Sequence, residues 1–321
     1  MTYRIPRRSA LSALSAIAAA AAAGIAPMAR AQAAPLRVGI LPIIDTAPFY
    51  AAQQLGYFKD ENLTVETTVV RGGAAGIPAL AAGSLDVLYS NSPSVVLAID
   101  RGIDLRVILQ GSKIGRQPPD PGGLVKRKGD PFKTGKDLEG KIIVCNALRD
   151  LGWMFAVNWI KATGGDPERV QIIEAALTAQ AEMLKQKRVD AALMLDPFFT
   201  LALNDPALEL LDWPMSKVFP DGPAAFFIIT PQLAAQRANE VRAFQRACKR
   251  GAAWLNANEG KDAAINLIAG YSSMAPDLIR RIKLPPANAE INVPSLPRVA
   301  QLMTNAGISP GSVDLRTKIF T

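Results

Sequence analysis

The chain has 321 residues, 36 basic against 28 acidic side chains, a formal charge of +8 and an apolar content of 49%. It contains no histidine and only two cysteines. That removes Ser-His-Asp and Cys-His nucleophilic pairs, the helical zinc-protease motif, every His-containing metal site and an all-thiolate zinc site.

The first 31 residues read as an export signal. Arg4, Arg7 and Arg8 make a basic start, an alanine-dominated run follows to about Ala26, and Ala29-Arg30-Ala31 offers the small residues a signal peptidase reads, so cleavage is expected near Ala31. The run is short and broken by Gly24 and Pro27, unlike a membrane span. The paired arginines suit a twin-arginine (Tat) signal, but Ala10 stands where a large apolar residue is usual, so Tat and Sec routes both stay open. Removing this segment discards four arginines and no acid, lowering the formal charge from +8 to +4. The remaining basic clusters, Lys126-Arg127-Lys128 and Lys185-Gln186-Lys187-Arg188, lack interleaved aromatics and read as solvated faces, so no nucleic-acid partner is expected.

From Leu36 a buried strand runs toward Ile44 and a helix follows, with Asp45 or Thr46 as its cap, Pro48 in its first turn and Gly56 at its end. Thr64 to Val70 alternates as a second strand, and Arg71-Gly72-Gly73 leads into an Ala-rich helix closed by Gly83. Asp86 to Tyr89 is a third strand. Asn91-Ser92-Pro93 repeats the cap-then-proline signal, Val95, Val96 and Ile99 mark the next helix, and Leu105 to Leu109 is a fourth strand. Strands alternating with helices imply a mainly parallel sheet, where ligands gather outside the carboxyl ends of the strands, facing helix N-termini. Plain capping explains any one junction equally well; three in series point to a site.

Gln110 to Gly123 is turn-rich and reads as a crossing into a second α/β set. Strands are expected at Leu124 to Arg127, Ile142 to Cys145, Val170 to Ile173 and Val189 to Leu195, with helices through Trp153, Val157 and Ile160 and from a Thr178 cap onward. The chain returns near Asp221-Gly222-Pro223 into an apolar strand, Ala225 to Ile229. Helical patterns near Pro231 to Asn256, Asp262 to Ala269 and Leu296 to Ala306 are expected to pack on the first set. Cys248 falls on an apolar helix face, which favours a buried free thiol over a bridge to Cys145.

Four stretches carry a resemblance: LRVGILPIIDTAPFYAAQQLGYFKDENLTVE, ALAAGSLDVLYSNSPSVVLAIDRG, DLEGKIIVCNALRDLGWMFAVNWIKATG and EMLKQKRVDAALMLDPF. In order and spacing they resemble the solute-binding proteins of bacterial ABC importers, in the branch described as nitrate, sulfonate and taurine binding, which also includes binders of thiamin-precursor pyrimidines. The resemblance implies an α/β, two-lobed type II periplasmic-binding fold with two mainly parallel sheets and two hinge crossings. Residues 1–31 would be the signal, 32–117 plus 224–321 one lobe and 118–223 the other. It further implies a periplasmic monomer that holds a small-molecule ligand and meets an inner-membrane ABC permease with its cytoplasmic ATPase, without cofactor, metal or catalytic residue.

Carried over by position, the ligand-facing loops fall on Asp45, Thr46, Ala47, Gly72, Gly73, Asn91 and Ser92 in the first lobe, and on Cys145, Asn146, Thr178 and Asp196 in the second. Where the family often has Gly-Ser, this chain has Cys145-Asn146, a thiol and an amide, which argues against a sulfonate contact there. Asp45 and Asp196 near one crevice disfavour a simple anion unless the ligand also carries an amino or cationic group. Tyr50, Tyr89, Trp153 and Phe198 could stack on a planar ligand or simply pack the core, and Arg149 could meet an anionic group or lie on the surface. An aromatic or pyrimidine solute, an enzyme on the same scaffold, and a sensor remain as alternative readings.

Overall fold

The computed structural model describes residues 34–309 and 311–321. The expected export signal and its cleavage point lie outside the described residues.

The chain order is β1 (Leu36–Ile40), α1 (Ala47–Gln54), β2 (Val65–Val69), α2 (Gly73–Ala81), β3 (Val87–Asn91), α3 (Ser92–Asp100) and β4 (Arg106–Lys113), then β5 (Gly122–Arg127) and β6 (Ile142–Cys145). Next come α4 (Leu151–Ala162), β7 (Gln171–Glu174), α5 (Leu177–Lys185), β8 (Ala191–Leu195), α6 (Phe198–Leu203), β9 (Leu208–Asp212), α7 (Pro214–Val218) and β10 (Pro223–Ile229). Four labelled helices close the chain: α8 (Pro231–Gln236), α9 (Ala238–Ala257), α10 (Asp262–Ser272) and α11 (Leu296–Asn305).

Two five-stranded sheets result, ordered β2-β1-β3-β10-β4 and β7-β6-β8-β5-β9. In each, one strand runs against the others, β10 in the first and β5 in the second. The composition of each strand follows its place. β10, Pro-Ala-Ala-Phe-Phe-Ile-Ile, is buried along its whole length because helices cover both faces of its sheet. The edge strand β2 reads Val-Glu-Thr-Thr-Val and is mostly exposed, its polar side chains discouraging pairing with another chain.

Around the first sheet, Phe49, Phe58, Phe227 and Phe244 make an aromatic cluster with ring centroids 5.3 to 6.1 Å apart. It forms because α9 lies hard against α1. A Cβ on Gly251 would stand 2.1 Å from the Pro48 carbonyl oxygen, so the crossing requires a residue without a side chain.

The C-terminal helix departs from expectation, since α11 packs against α4 as well as α3. The end of a helix leaves carbonyls without intrahelical partners, and here side chains from Arg149 onward through α4 supply donors. Asn158 Nδ2 reaches the Leu302 carbonyl at 2.9 Å, Lys161 Nζ that of Asn305 at 2.7 Å, Trp153 Nε1 that of Ala306 at 3.0 Å and Arg149 Nη2 that of Gly307 at 2.7 Å. On the other side Asp100, the last residue of α3, accepts from the hydroxyls of Ser309 and Ser312. One segment thus ties a helix of the first sheet to a helix of the second.

Candidate functional site

The carboxyl ends of the two sheets face one another. Asn91, at the end of β3, lies beside the Asp150 carboxyl just before α4, and Asp196, after β8, lies near enough to feel the charge of Asp45, after β1.

Asp45 sits in a 3₁₀ turn, Ile44–Thr46, that continues into α1. The expected capping by Asp45 or Thr46 does not occur. Thr46 Oγ1 instead donates toward the Leu41 and Ile43 carbonyls, both at 2.7 Å, which frees Asp45 from the helix end. Ser112 Oγ donates to Asp45 Oδ2 at 2.6 Å, and the Tyr89 hydroxyl lies close by. Tyr271 stacks on Tyr50 with centroids 3.9 Å apart and donates from its hydroxyl to the Ile43 carbonyl at 3.1 Å. Burial pushes the Asp45 carboxyl above its ordinary range, against the opposing effect of Ser112. Burial first, then the Asp45 charge, raises the phenols of Tyr89 and Tyr271 well above theirs.

Across the gap, Asp196 Oδ1 accepts from the Thr200 backbone N–H at 3.0 Å and hydroxyl at 2.7 Å, so it does hold the first turn of α6. Burial lifts its carboxyl to about 6, with the charge of Asp45 adding. Burial also raises Asp150, which Asn91 partly offsets and Glu174 reinforces. Among the described residues no lysine or arginine is ion-paired with Asp45, Asp150 or Asp196.

The other expected positions differ in what they present. Asn91 caps α3 through its side chain on the Ser94 N–H at 2.9 Å, and Ser92 is fully buried with its hydroxyl unpartnered. Ala47 is buried, Gly72 is half-buried, and Gly73 packs so closely on Ser90 that a Cβ would come within 2.5 Å of its backbone. Cys145 is wholly buried, its Sγ 3.2 Å from the Ala147 carbonyl oxygen, and burial raises the thiol to about 11. Asn146 Oδ1 is buried beside Gly152 without a partner. Thr178 is exposed within α5 rather than at its cap, Ala176, and lines a shallow cavity of about 200 Å³ with Met194 and Phe198. Both cysteines are free. Trp153 and Arg149 are committed to the end of α11.

Ser112, Asp150 and Tyr271 were not singled out from the sequence. Ser112 lies where Gln110 to Gly123 reads as a crossing, whereas β4 extends to Lys113. Asp150 carries a cap-type signal directly before the apolar pattern of α4. Tyr271 arrives from a helix far along the chain, and nothing local marks it.

Residues 43–261 match the sequence profile of the family described as NMT1/THI5 like. The chain belongs to that family. No curated protein sequence matches it. Among solved structures, it is similar to the periplasmic aliphatic sulphonate binding protein SsuA from Escherichia coli, with 17% identity and a TM-score of 0.74 over 89% of this chain and 97% of that one. The alkanesulfonate-binding protein SsuA from Xanthomonas axonopodis pv. citri, bound to MOPS, gives 16% identity and 0.72 over 90% and 99%. The nitrate-binding protein NrtA from Synechocystis gives 14% and 0.68 over 88% and 84%. The family member therefore has the periplasmic-binding-protein fold, two mixed sheets flanked by helices, as its sequence resemblance implied.

Proposed function

We propose that this protein is the extracytoplasmic solute-binding component of an ABC importer. It captures a small molecule between a lobe of residues 32–117 plus 224–321 and a lobe of residues 118–223, then presents the closed form to an inner-membrane permease driven by a cytoplasmic ATPase. In this reading it is a periplasmic monomer, exported by the Sec or Tat route and cleaved near Ala31. It binds its solute, a small organic molecule or oxyanion of the sulfonate, taurine or nitrate kind, without transforming it.

The observation that carries the proposal is the opposition of polar groups from the two sheets, Asp45, Asn91 and Ser92 against Asn146, Asp150 and Asp196. A solute between them touches both lobes only when they close, so binding and closure are coupled. The similar structures named above are of sulfonate- and nitrate-binding proteins, which supports the solute class.

Thermal unfolding against alkanesulfonates, taurine, nitrate, aromatic carboxylates and pyrimidines tests it. A solute at a hundredfold excess over its Kd adds about 2.7 kcal/mol to the folded state. In a domain of this size that raises the midpoint by roughly 5 °C or more. A shift confined to one chemical class, with the solute recovered unchanged, supports capture; turnover of the solute would overturn it.

A further inference from the structure

A cavity of about 160 Å³ opens beside Asp45 and belongs wholly to the half of the molecule built on the first sheet. Its walls are mainly apolar: Ala47 and Pro48 from the start of α1, Leu255 from α9, and the segment Leu284-Pro285-Pro286-Ala287. Its inner polar wall is Asp45 with Ser112. Glu259 and Lys283 also line it, and they pair with each other at 3.3 Å with both side chains largely exposed, so their charges cancel there.

The net charge of this lining is therefore that of Asp45 alone. Ser112 supplies the carboxylate with one hydrogen bond, while a carboxylate has about four acceptor sites. A simple anion entering here would meet a like charge in partly desolvated surroundings with no cation to offset it. A protonated amine on a short apolar stem fits on both counts, its N–H donors on the carboxylate and its methylenes on the proline-rich wall.

We infer that this cavity is a subsite for an ammonium-type group of the captured solute, received by Asp45. The inference rests on the solute-capture reading and narrows it to an amine-bearing solute. Every lining residue comes from the first half of the fold, so the amine can dock before the lobes close, and its recognition does not depend on contacts from the second sheet.

The test uses matched pairs in thermal unfolding and calorimetric titration of the purified protein: taurine against ethanesulfonate, 4-aminobutyrate against butyrate, and benzylamine against benzyl alcohol. The amine member of at least one pair should bind at least tenfold more tightly than its counterpart. Asp45→Asn should erase that preference, and Ser112→Ala, which leaves the carboxylate in place, should keep it. Circular dichroism and the urea midpoint check that both variants fold, and Ser112→Ala keeps the test decisive if Asp45→Asn does not: loss of the preference in folded Ser112→Ala counts against Asp45 as the receiving group. If sulfonates or carboxylates bind equally well with and without the amine, capture stands and the amine subsite falls. If no amine binds, the subsite also falls, while capture is decided separately by the anions and pyrimidines of the wider panel.

Discussion

Replacing Asp196 by asparagine should stabilise the protein at alkaline pH and much less in acid. The carboxyl of Asp196 titrates near 6 in the fold against an ordinary 3.8, with burial as the leading cause. The folded state thus holds this proton more tightly than the unfolded chain. The group's full contribution is present below about pH 4 and is lost as pH rises through 6. Two units at about 1.4 kcal/mol each amount to roughly 3 kcal/mol lost by the wild type across that window. Asparagine carries no charge to desolvate, and its Oδ1 can still accept from the Thr200 N–H and hydroxyl that now lie 3.0 and 2.7 Å from Asp196 Oδ1. The value near 6 already contains the help those two bonds give the charged form. The expected gain is therefore roughly 3 kcal/mol at pH 8 and about 1 kcal/mol at pH 4.5. Urea denaturation of both proteins at the two pH values reads it, because comparing variant with wild type cancels every other titrating group, provided the m-value is unchanged. A variant no more stabilised at pH 8 than at pH 4.5 would refute the buried placement of this carboxylate.

Three further outcomes are expected. Gly251→Ala forces a Cβ toward the Pro48 carbonyl and the Ala52 N–H and should cost about 1–3 kcal/mol or more by denaturant melting; a neutral effect would mean that α1 and α9 do not cross this closely. Asn158→Leu removes the donor shared between the Met154 and Leu302 carbonyls and should cost about 1–3 kcal/mol, with faster hydrogen exchange along α11; unchanged exchange there would show that α4 does not hold that helix. Cys145 and Cys248 should both resist a disulfide reagent in the folded protein and react in denaturant, since both are buried and burial raises both thiols. Rapid labelling of either in the native state would contradict its position.

Much of the fold was legible because its signals are local. Gly56, Gly83, Gly102 and Gly164 all take the left-handed conformation near helix ends that the sequence marks with them. The apolar run from Ala225 reads as a buried strand and becomes β10, although its antiparallel seat between β3 and β4 is a matter of topology that no run reveals. Thr46 and Thr178 misled because a hydroxyl near a helix start looks the same in sequence whether it caps, as Asn91 does, or satisfies a neighbouring carbonyl or stays exposed. The candidate site was legible in position where it lies at or after a strand end, at Asp45, Asn91 and Asp196. Its remaining parts depend on tertiary approach: Tyr271 comes from α10, the proline-rich wall from residues 284–287, and the donors on α11 from α4. Arg149 and Trp153 looked available for a ligand because nothing in their own segment foretells carbonyls 153 or more residues away.

The central claim, capture of a solute between the two sheets, is met most directly by hydrogen exchange with and without the solute that gives the largest thermal shift. The account predicts protection on both sides at once, around residues 44–47 and 91–94 in the first half and 146–151 and 196–200 in the second. Protection confined to one half, or centred away from these strand ends, would contradict it.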